Sequence, residues 1–168
     1  MGLSLRLATH ADAAAIADIV NLAYRVEDFF KIGDRTDAAE IGELLGHETF
    51  ILAEDGGTLV GCIEVNVEGD VGYFGMLSAH PARQGEGIGR TLIEAAERHC
   101  LDAGCRTMEL VLVNLRTELP PYYERFGYRI SGTRPFSMPE RSRMECHFIV
   151  MSKDLTAAAP QTMEQQDD

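Results

Sequence analysis

Leu77-Ser78-Ala79-His80-Pro81-Ala82-Arg83-Gln84-Gly85-Glu86-Gly87-Ile88-Gly89-Arg90-Thr91 is the stretch that decides the fold. An apolar strand, Val71–Ala79, runs into a loop with glycines at 85, 87 and 89, and the loop opens an amphipathic helix over Gly87–Ala103. Glycine leaves no Cβ between the backbone amides and a ligand. The N–H groups at a helix start lack intrahelical partners and point outward at the positive end of the helix dipole. A pyrophosphate suits such a site. A dinucleotide fingerprint fits poorly, because Arg90 stands where a third glycine belongs and His80–Gln84 separates the strand from the glycines. A P-loop needs a lysine that is absent here. A loop that only turns the chain remains open on this stretch alone.

On either side of it the period of the pattern changes. Leu3–Ala8 reads as a strand and Thr9 and Asp12 as caps, before a helix over Ala13–Tyr24 that places Ile16, Ile19, Val20 and Ala23 on one face. A polar-aromatic connector, Arg25–Thr36, precedes a short helix, Asp37–Leu45. Thr49–Glu54, Leu59–Val67 and Val71–Ala79 form an antiparallel meander around Asp55-Gly56-Gly57 and Glu68-Gly69-Asp70. After the long helix, Thr107–Val113 is reached by a crossover, which predicts a strand parallel to Val71–Ala79. A short helix near Pro121–Arg125 and strands near Tyr128–Ser131 and Cys146–Met151 finish an α/β domain with a single mixed, mostly antiparallel sheet flanked by helices.

Composition narrows the function. The 168 residues fit one domain, 45% of them are hydrophobic, and no apolar run is long enough to span a bilayer. A cytoplasmic protein is expected, with no membrane partner. A net charge of −12 argues against nucleic acid as partner and mildly favours a cationic one. Cys62, Cys100, Cys105 and Cys146 lack metal-ligand spacing and read as buried free thiols, so no metal is expected. Residues 156–168 have nothing to bury and are expected to form a disordered acidic tail after a domain spanning 1–155.

Gln84-Gly85-Glu86-Gly87-Ile88-Gly89 resembles the [Q/R]-x-x-G-x-[G/A] motif of the GNAT superfamily of N-acetyltransferases, and Tyr122-Tyr123-Glu124-Arg125-Phe126-Gly127-Tyr128 resembles a second segment of it. The resemblance covers roughly Leu3–Leu155. It implies an acyl-CoA N-acyltransferase fold in which the central parallel strands splay. It implies acetyl-CoA as cosubstrate, with Leu77, Ser78 and Ala79 as backbone partners of the pantetheine arm and Gln84, Gly85, Glu86, Gly87, Ile88, Gly89 and Arg90 around the pyrophosphate, the Thr91 hydroxyl being an extra donor. Tyr123 matches the tyrosine that protonates the departing thiolate, while Tyr122 reads as core. The family commonly has Asn where this chain has Arg116. Asn114 lies two residues earlier, and an insertion through Leu119-Pro120-Pro121 would restore its role as a cofactor contact. Arg116 is the alternative.

An amine acceptor must lose a proton before it attacks. Glu64 and Glu109 are the candidate bases, each with a purely structural alternative, since a carboxylate in the run Met108-Glu109-Leu110-Val111 is costly without a partner or a task. Val26–Thr36 and Pro135–Glu145 are expected to flank the acceptor. Phe29 and Phe30 either line its pocket or pack beneath the connector, and Asp28, Asp34, Glu64, Glu68 and Asp70 supply charge for a cation. The implied activity is acetyl transfer to a primary amine of a small molecule, peptide or protein by direct attack in a ternary complex. A non-catalytic acyl-CoA-binding module and an acyltransferase with another acyl group or acceptor are the rivals, and a homodimer stays open.

Overall fold

The computed structural model describes residues 2–156, so the expected tail falls, beyond Thr156, outside the described residues. In chain order the elements are β1 (Ser4–Leu7), α1 (Ala13–Ala23), α2 (Ala38–Leu44), β2 (Thr49–Asp55), β3 (Thr58–Glu68), β4 (Val71–Ala79), α3 (Ile88–Asp102), β5 (Thr107–Val113), α4 (Leu119–Glu124), β6 (Arg129–Pro135) and β7 (His147–Asp154). Seven strands form one sheet in the order β1-β2-β3-β4-β5-β7-β6. Every neighbouring pair is antiparallel except β4 and β5, which are parallel as the crossover through α3 requires. No helix among the described residues is long and apolar enough to cross a membrane.

Two apolar clusters sandwich the sheet. Ile16, Ile19 and Val20 of α1 bury against Phe50, Leu52, Cys62 and Met76 on one face. Ile88, Leu92, Ile93, Ala96 and Cys100 of α3 bury against Ile63, Val65, Phe74, Met108 and Leu110 on the other. The α3 residues recur at the 3.6-residue period and those of β4 alternate, so each element turns one apolar side to the core. Some boundaries differ from the sequence expectation. α4 begins at Leu119 because a proline in its first turn lacks only an N–H that would be unpaired anyway. β6 and β7 extend to Pro135 and Asp154 because each pairs along most of its length. Cys62, Cys100 and Cys105 are buried free thiols, but Cys146 is only half-buried, in a loop with its Sγ 3.6 Å from the Ser142 hydroxyl.

α3 approaches β4 closely at Gly72, where an added Cβ would lie 2.5 Å from Cys100 Sγ and 2.8 Å from Cys100 Cβ. This contact holds the helix whose first turn carries the glycine loop. Gly72→Ala is expected to destabilise the fold by about 1–3 kcal/mol, the usual cost of overpacking. Urea unfolding measures it, and a variant as stable as the wild type would show that α3 is free to shift.

Candidate active site

β4 and β5 pair only through Val71–Thr107, Gly72–Met108 and Tyr73–Glu109. Beyond those residues they diverge, while β5 stays paired with β7 along its whole length, from Thr107–Asp154 to Val113–Phe148. On the other side of β4 a bulge interrupts the ladder to β3. Cys62 faces Ser78 and Glu64 faces Gly75, so Ile63 alone opposes Met76 and Leu77. Met76 takes a positive φ of 50°, the only such residue other than glycine among those described. The splayed edge of β4 from Phe74 to Ala79 therefore has no strand beside it.

A groove of about 1100 Å³ reaches from Leu77 and Ala79 past the glycine loop to α4 and the end of α1. Gly85 and Gly87 hold φ of 86° and 87°, and Gly87 is the residue from which α3 starts. A Cβ at either would meet nothing within 4 Å, so the left-handed backbone rather than crowding calls for glycine there. Gly89 differs. An added Cβ would sit 2.5 Å from the Tyr122 hydroxyl, so this glycine seats the Tyr122 ring. Tyr122 packs edge-to-face on Tyr123 and Phe126, with centroids 5.1 and 5.2 Å away; it packs against the core, as expected, and also lines the groove.

The groove is basic although the protein is acidic. Arg25, Arg83, Arg90, Arg116 and Arg125 line it against Glu118. Arg83 is tied to Asp55 at 2.8 Å and to Glu86 at 2.7 Å, and Arg90 lies 4.9 Å above the Phe126 ring. Arg25 and Arg125 form no ion pair among the described residues, which leaves their charge for a ligand. Unpaired amides at a helix start, two left-handed glycines and free guanidinium groups together suit a phosphate-bearing ligand, and the bare edge of β4 suits an extended amide-bearing arm.

Some residues expected at this site are engaged elsewhere. The Thr91 hydroxyl, expected as an extra donor, instead donates to the Gly87 carbonyl at 2.9 Å. Asn114 lines neither cavity; its side-chain oxygen accepts from the His147 N–H at 2.8 Å, prolonging the β5–β7 ladder. Arg116 stands at the groove instead, its Nη1 2.7 Å from Glu27 and its Nε 2.8 Å from Glu118.

A second cavity, about 380 Å³, opens on the α1 face of the wedge. The two segments expected to flank the acceptor, Val26–Thr36 and Pro135–Glu145, both line this cavity. Ile32 N donates to Arg141 O and Arg143 N to Phe30 O, so Val26–Thr36 and Pro135–Glu145 form one strap over the cavity. Phe30 is buried and lines it, whereas Phe29 is exposed and does not. Glu68 and Asp70 sit at the β3–β4 turn and line neither cavity, because that turn is at the closed end of the wedge.

Tyr24, Leu77, Arg116, Leu119 and Tyr123 line both cavities. Burial pushes the Tyr123 phenol above its ordinary value and that of Tyr24 up to about 12, so both keep their protons at neutral pH. Tyr24 is a site residue that the sequence reading missed, since a tyrosine ending a helix carries no motif. Burial also pushes the Cys62 and Cys100 thiols up to about 12, which keeps them from acting as nucleophiles.

Register places the two candidate carboxylates on one face. Glu64 pairs with Gly75 and Glu109 with Tyr73, and Tyr73 and Gly75 are two residues apart on β4. Glu109 lines the second cavity; its Oε1 is buried without a hydrogen-bond partner, and Arg134 Nη2 approaches only to 3.6 Å. Glu64 lies against Glu48, and burial together with that second carboxyl pushes it up to about 8.

Two tests follow from this geometry. Glu64 holds its proton in the fold between about 4.5 and about 8, where the unfolded chain has lost it, so stability falls as pH rises through that window. Glu64→Gln is expected to flatten the fall, and urea midpoints measured across pH that keep the wild-type slope would refute it. Gly87→Val forces a β-branched residue to φ 87° and is expected to weaken coenzyme A binding about 10-fold or more. Calorimetric titration of the folded variant reads this, and unchanged affinity would remove the phosphate site from the start of α3.

Comparison with known proteins agrees with the architecture. An acetyltransferase of Yersinia pestis (strain Pestoides F) is 28% identical over 96 residues, covering 56% of this chain and 68% of that protein. The ribosomal-protein-S18-alanine N-acetyltransferase from Escherichia coli superposes with a TM-score of 0.74 at 15% identity, over 92% of this chain and 94% of that one. The Salmonella typhimurium protein yncA, solved with its cofactor acetyl-CoA, gives 0.72 at 19% identity over 92% and 95%. At such identities the structures show the shared fold. The model of the acetyltransferase (GNAT) family matches residues 14–128, and with two-thirds of its length so matched the chain belongs to that family.

Proposed function

We propose that the chain transfers the acetyl group of acetyl-CoA to a primary amine of a small molecule by direct attack in a ternary complex. The observation that carries this reading is the placement of Tyr123 where a basic groove and a small roofed cavity meet in the wedge between β4 and β5. The amides of Gly85–Arg90, with Arg25 and Arg125, hold the phosphates, and the bare edge of β4 at Leu77–Ala79 binds the pantetheine arm. A cavity of about 380 Å³ under a bonded strap has the size of a small-molecule site.

The chemistry assigns a task to each residue. An alkylamine with pKa near ~10.4 costs roughly 4–5 kcal/mol to deprotonate at pH 7. Glu109, which lines the acceptor cavity and has an oxygen without a hydrogen-bond partner, takes that proton. The amine nitrogen bonds to the thioester carbonyl carbon, whose oxygen is polarised by backbone amides of β4 beyond the bulge. Tyr123 donates its phenolic proton to sulfur as the carbon–sulfur bond breaks, and the second proton that the acylated nitrogen sheds returns through water to the phenolate. Glu64 shares the face of Glu109 but lines neither cavity and keeps its proton against Glu48 at neutral pH, which leaves Glu109 as the base.

Tyr123→Phe keeps the ring packed on Phe74 at 5.9 Å and removes only the hydroxyl. kcat is expected to fall about 10-fold or more, within the usual span for acid catalysis, with acetyl-CoA affinity little changed. Single-turnover thiol release under conditions where the chemical step limits the rate is the measurement. A normal chemical step would return Tyr123 to a packing role, and no turnover of any amine by the wild type would favour an acyl-CoA-binding module.

A further inference from the structure

We infer that the acceptor carries a carboxylate beside its amine and that Arg35, with Arg141 at the rim, binds it. This rests on the reading of the roofed cavity as the amine's site. A catalytic cavity for polyamines or cationic side chains would be lined by unpaired acids. This one is lined by Glu27, Asp34 and Glu109 against Lys31, Arg35, Arg116 and Arg141.

Existing pairings remove part of that set. Glu27 and Arg116 bind each other at 2.7 Å. Lys31 Nζ is held by Asp28 at 3.1 Å and by the Gly33 carbonyl at 2.6 Å. Asp34 is exposed, where water screens its charge. Arg35 and Arg141 remain, and neither forms an ion pair among the described residues. Arg35 is half-buried, with its guanidinium 5.5 Å over the Tyr24 ring at the junction of the two cavities. Glu64, which lies within reach of the Arg35 charge, is engaged with Glu48 and mostly protonated at neutral pH, so it neutralises Arg35 little. Arg141 donates one N–H to the Asp34 carbonyl at 3.1 Å, which fixes it beside residue 35 and leaves further donors of its fork free.

A partly desolvated guanidinium without a carboxylate partner is costly in a finished fold, and a ligand anion offsets that cost. The opposite requirement lies at Glu109, whose buried Oε1 has no hydrogen-bond partner and only a long, 3.6 Å ion pair with the exposed Arg134. A small molecule with an ammonium for Glu109 and a carboxylate for Arg35 satisfies both. Phe30, Phe74, Phe136 and Phe148 supply apolar wall between them. The acceptor is therefore amino-acid-like, with an apolar portion.

The test is thiol release from acetyl-CoA by the full chain, with amino acids each compared against their own carboxamide and decarboxylated amine, and with a polyamine included. At least one carboxylate-bearing amine is expected to exceed its carboxamide about 100-fold in kcat/KM. Arg35→Gln is expected to cut that ratio about 10-fold or more, with Arg35→Lys restoring part of it. Melting temperature and coenzyme A affinity report whether the variants fold, and Arg141→Ala supplies the same ratio test if Arg35→Gln does not. Carboxamides, decarboxylated amines or the polyamine turning over as well as the acids would overturn the inference and leave amine acetylation standing. An unchanged ratio in the folded variants would do the same. No turnover of any amine by a wild-type protein that binds acetyl-CoA would overturn both.

Discussion

The parallel ladder between β4 and β5 stops after Tyr73 and Glu109, and the rest of the site depends on that stop. A strand edge left open inside a domain carries unpaired N–H and C=O groups, which are costly unless water or a ligand satisfies them. Closure is resisted from both sides. β5 is fixed by an unbroken ladder to β7, and β4 is bent by the bulge at Met76 and Leu77. Aromatic rings brace the α3 side, where Phe74 packs on Tyr123 and Tyr128 with centroids 5.9 Å away in each case. Tyr128 is itself anchored by its hydroxyl, which donates to Glu97, and Glu97 also holds Lys153 of β7 at 3.0 Å. The wedge is thus a gap between two strands, each anchored on its far side.

Charge is arranged against the average. The chain carries a net −12, yet the groove gathers arginines from α1's end, the glycine loop, α3 and α4. Within a chain of net negative charge, a narrow basic groove focuses field on a small anion. The buried pair of Arg116 and Glu27 links these features. It joins the segment before α4 to the turn after α1 at the place where the two cavities meet. A buried ion pair adds little net stability, because desolvation opposes its attraction, so its clearest effect here is to fix geometry across the junction.

Much of this was legible in the chain because it is local. The meander of β2, β3 and β4 follows from period-two apolar residues and tight turns, and Gln84–Gly89 and Tyr122–Tyr128 mark their elements without tertiary information. What sequence could not supply depends on counting across the sheet. The bulge beyond Glu64 leaves Met76 and Leu77 opposite Ile63 alone and bends β4 away from β5, and no periodicity announces a bulge. Arg25 and Arg125 look like ordinary surface arginines until the wedge brings their elements together. The strap joins Lys31 to Ser142 across most of the chain, so neither segment alone shows that the other covers the same cavity. Asn114 was read by its distance from Tyr123, but the strand continues through it and its amide serves the β7 ladder.

Burial of Tyr123 shapes its chemistry in two directions. Low polarity raises the phenol's pKa, which makes it a weaker acid at rest but keeps it fully protonated until negative charge grows nearby. Arg116 acts in the opposite sense on both Tyr24 and Tyr123, favouring the phenolate that forms once a proton has moved. A cation shared by two phenols at the junction therefore offsets part of the burial penalty only when charge develops there. Glu27 keeps that cation from being a free positive charge in the resting site, while its 2.7 Å contact holds the guanidinium in place. The residues that open the wedge and those that set its electrostatics are thus joined through one contact, so neither the geometry nor the acid strength of the site is independent of the other.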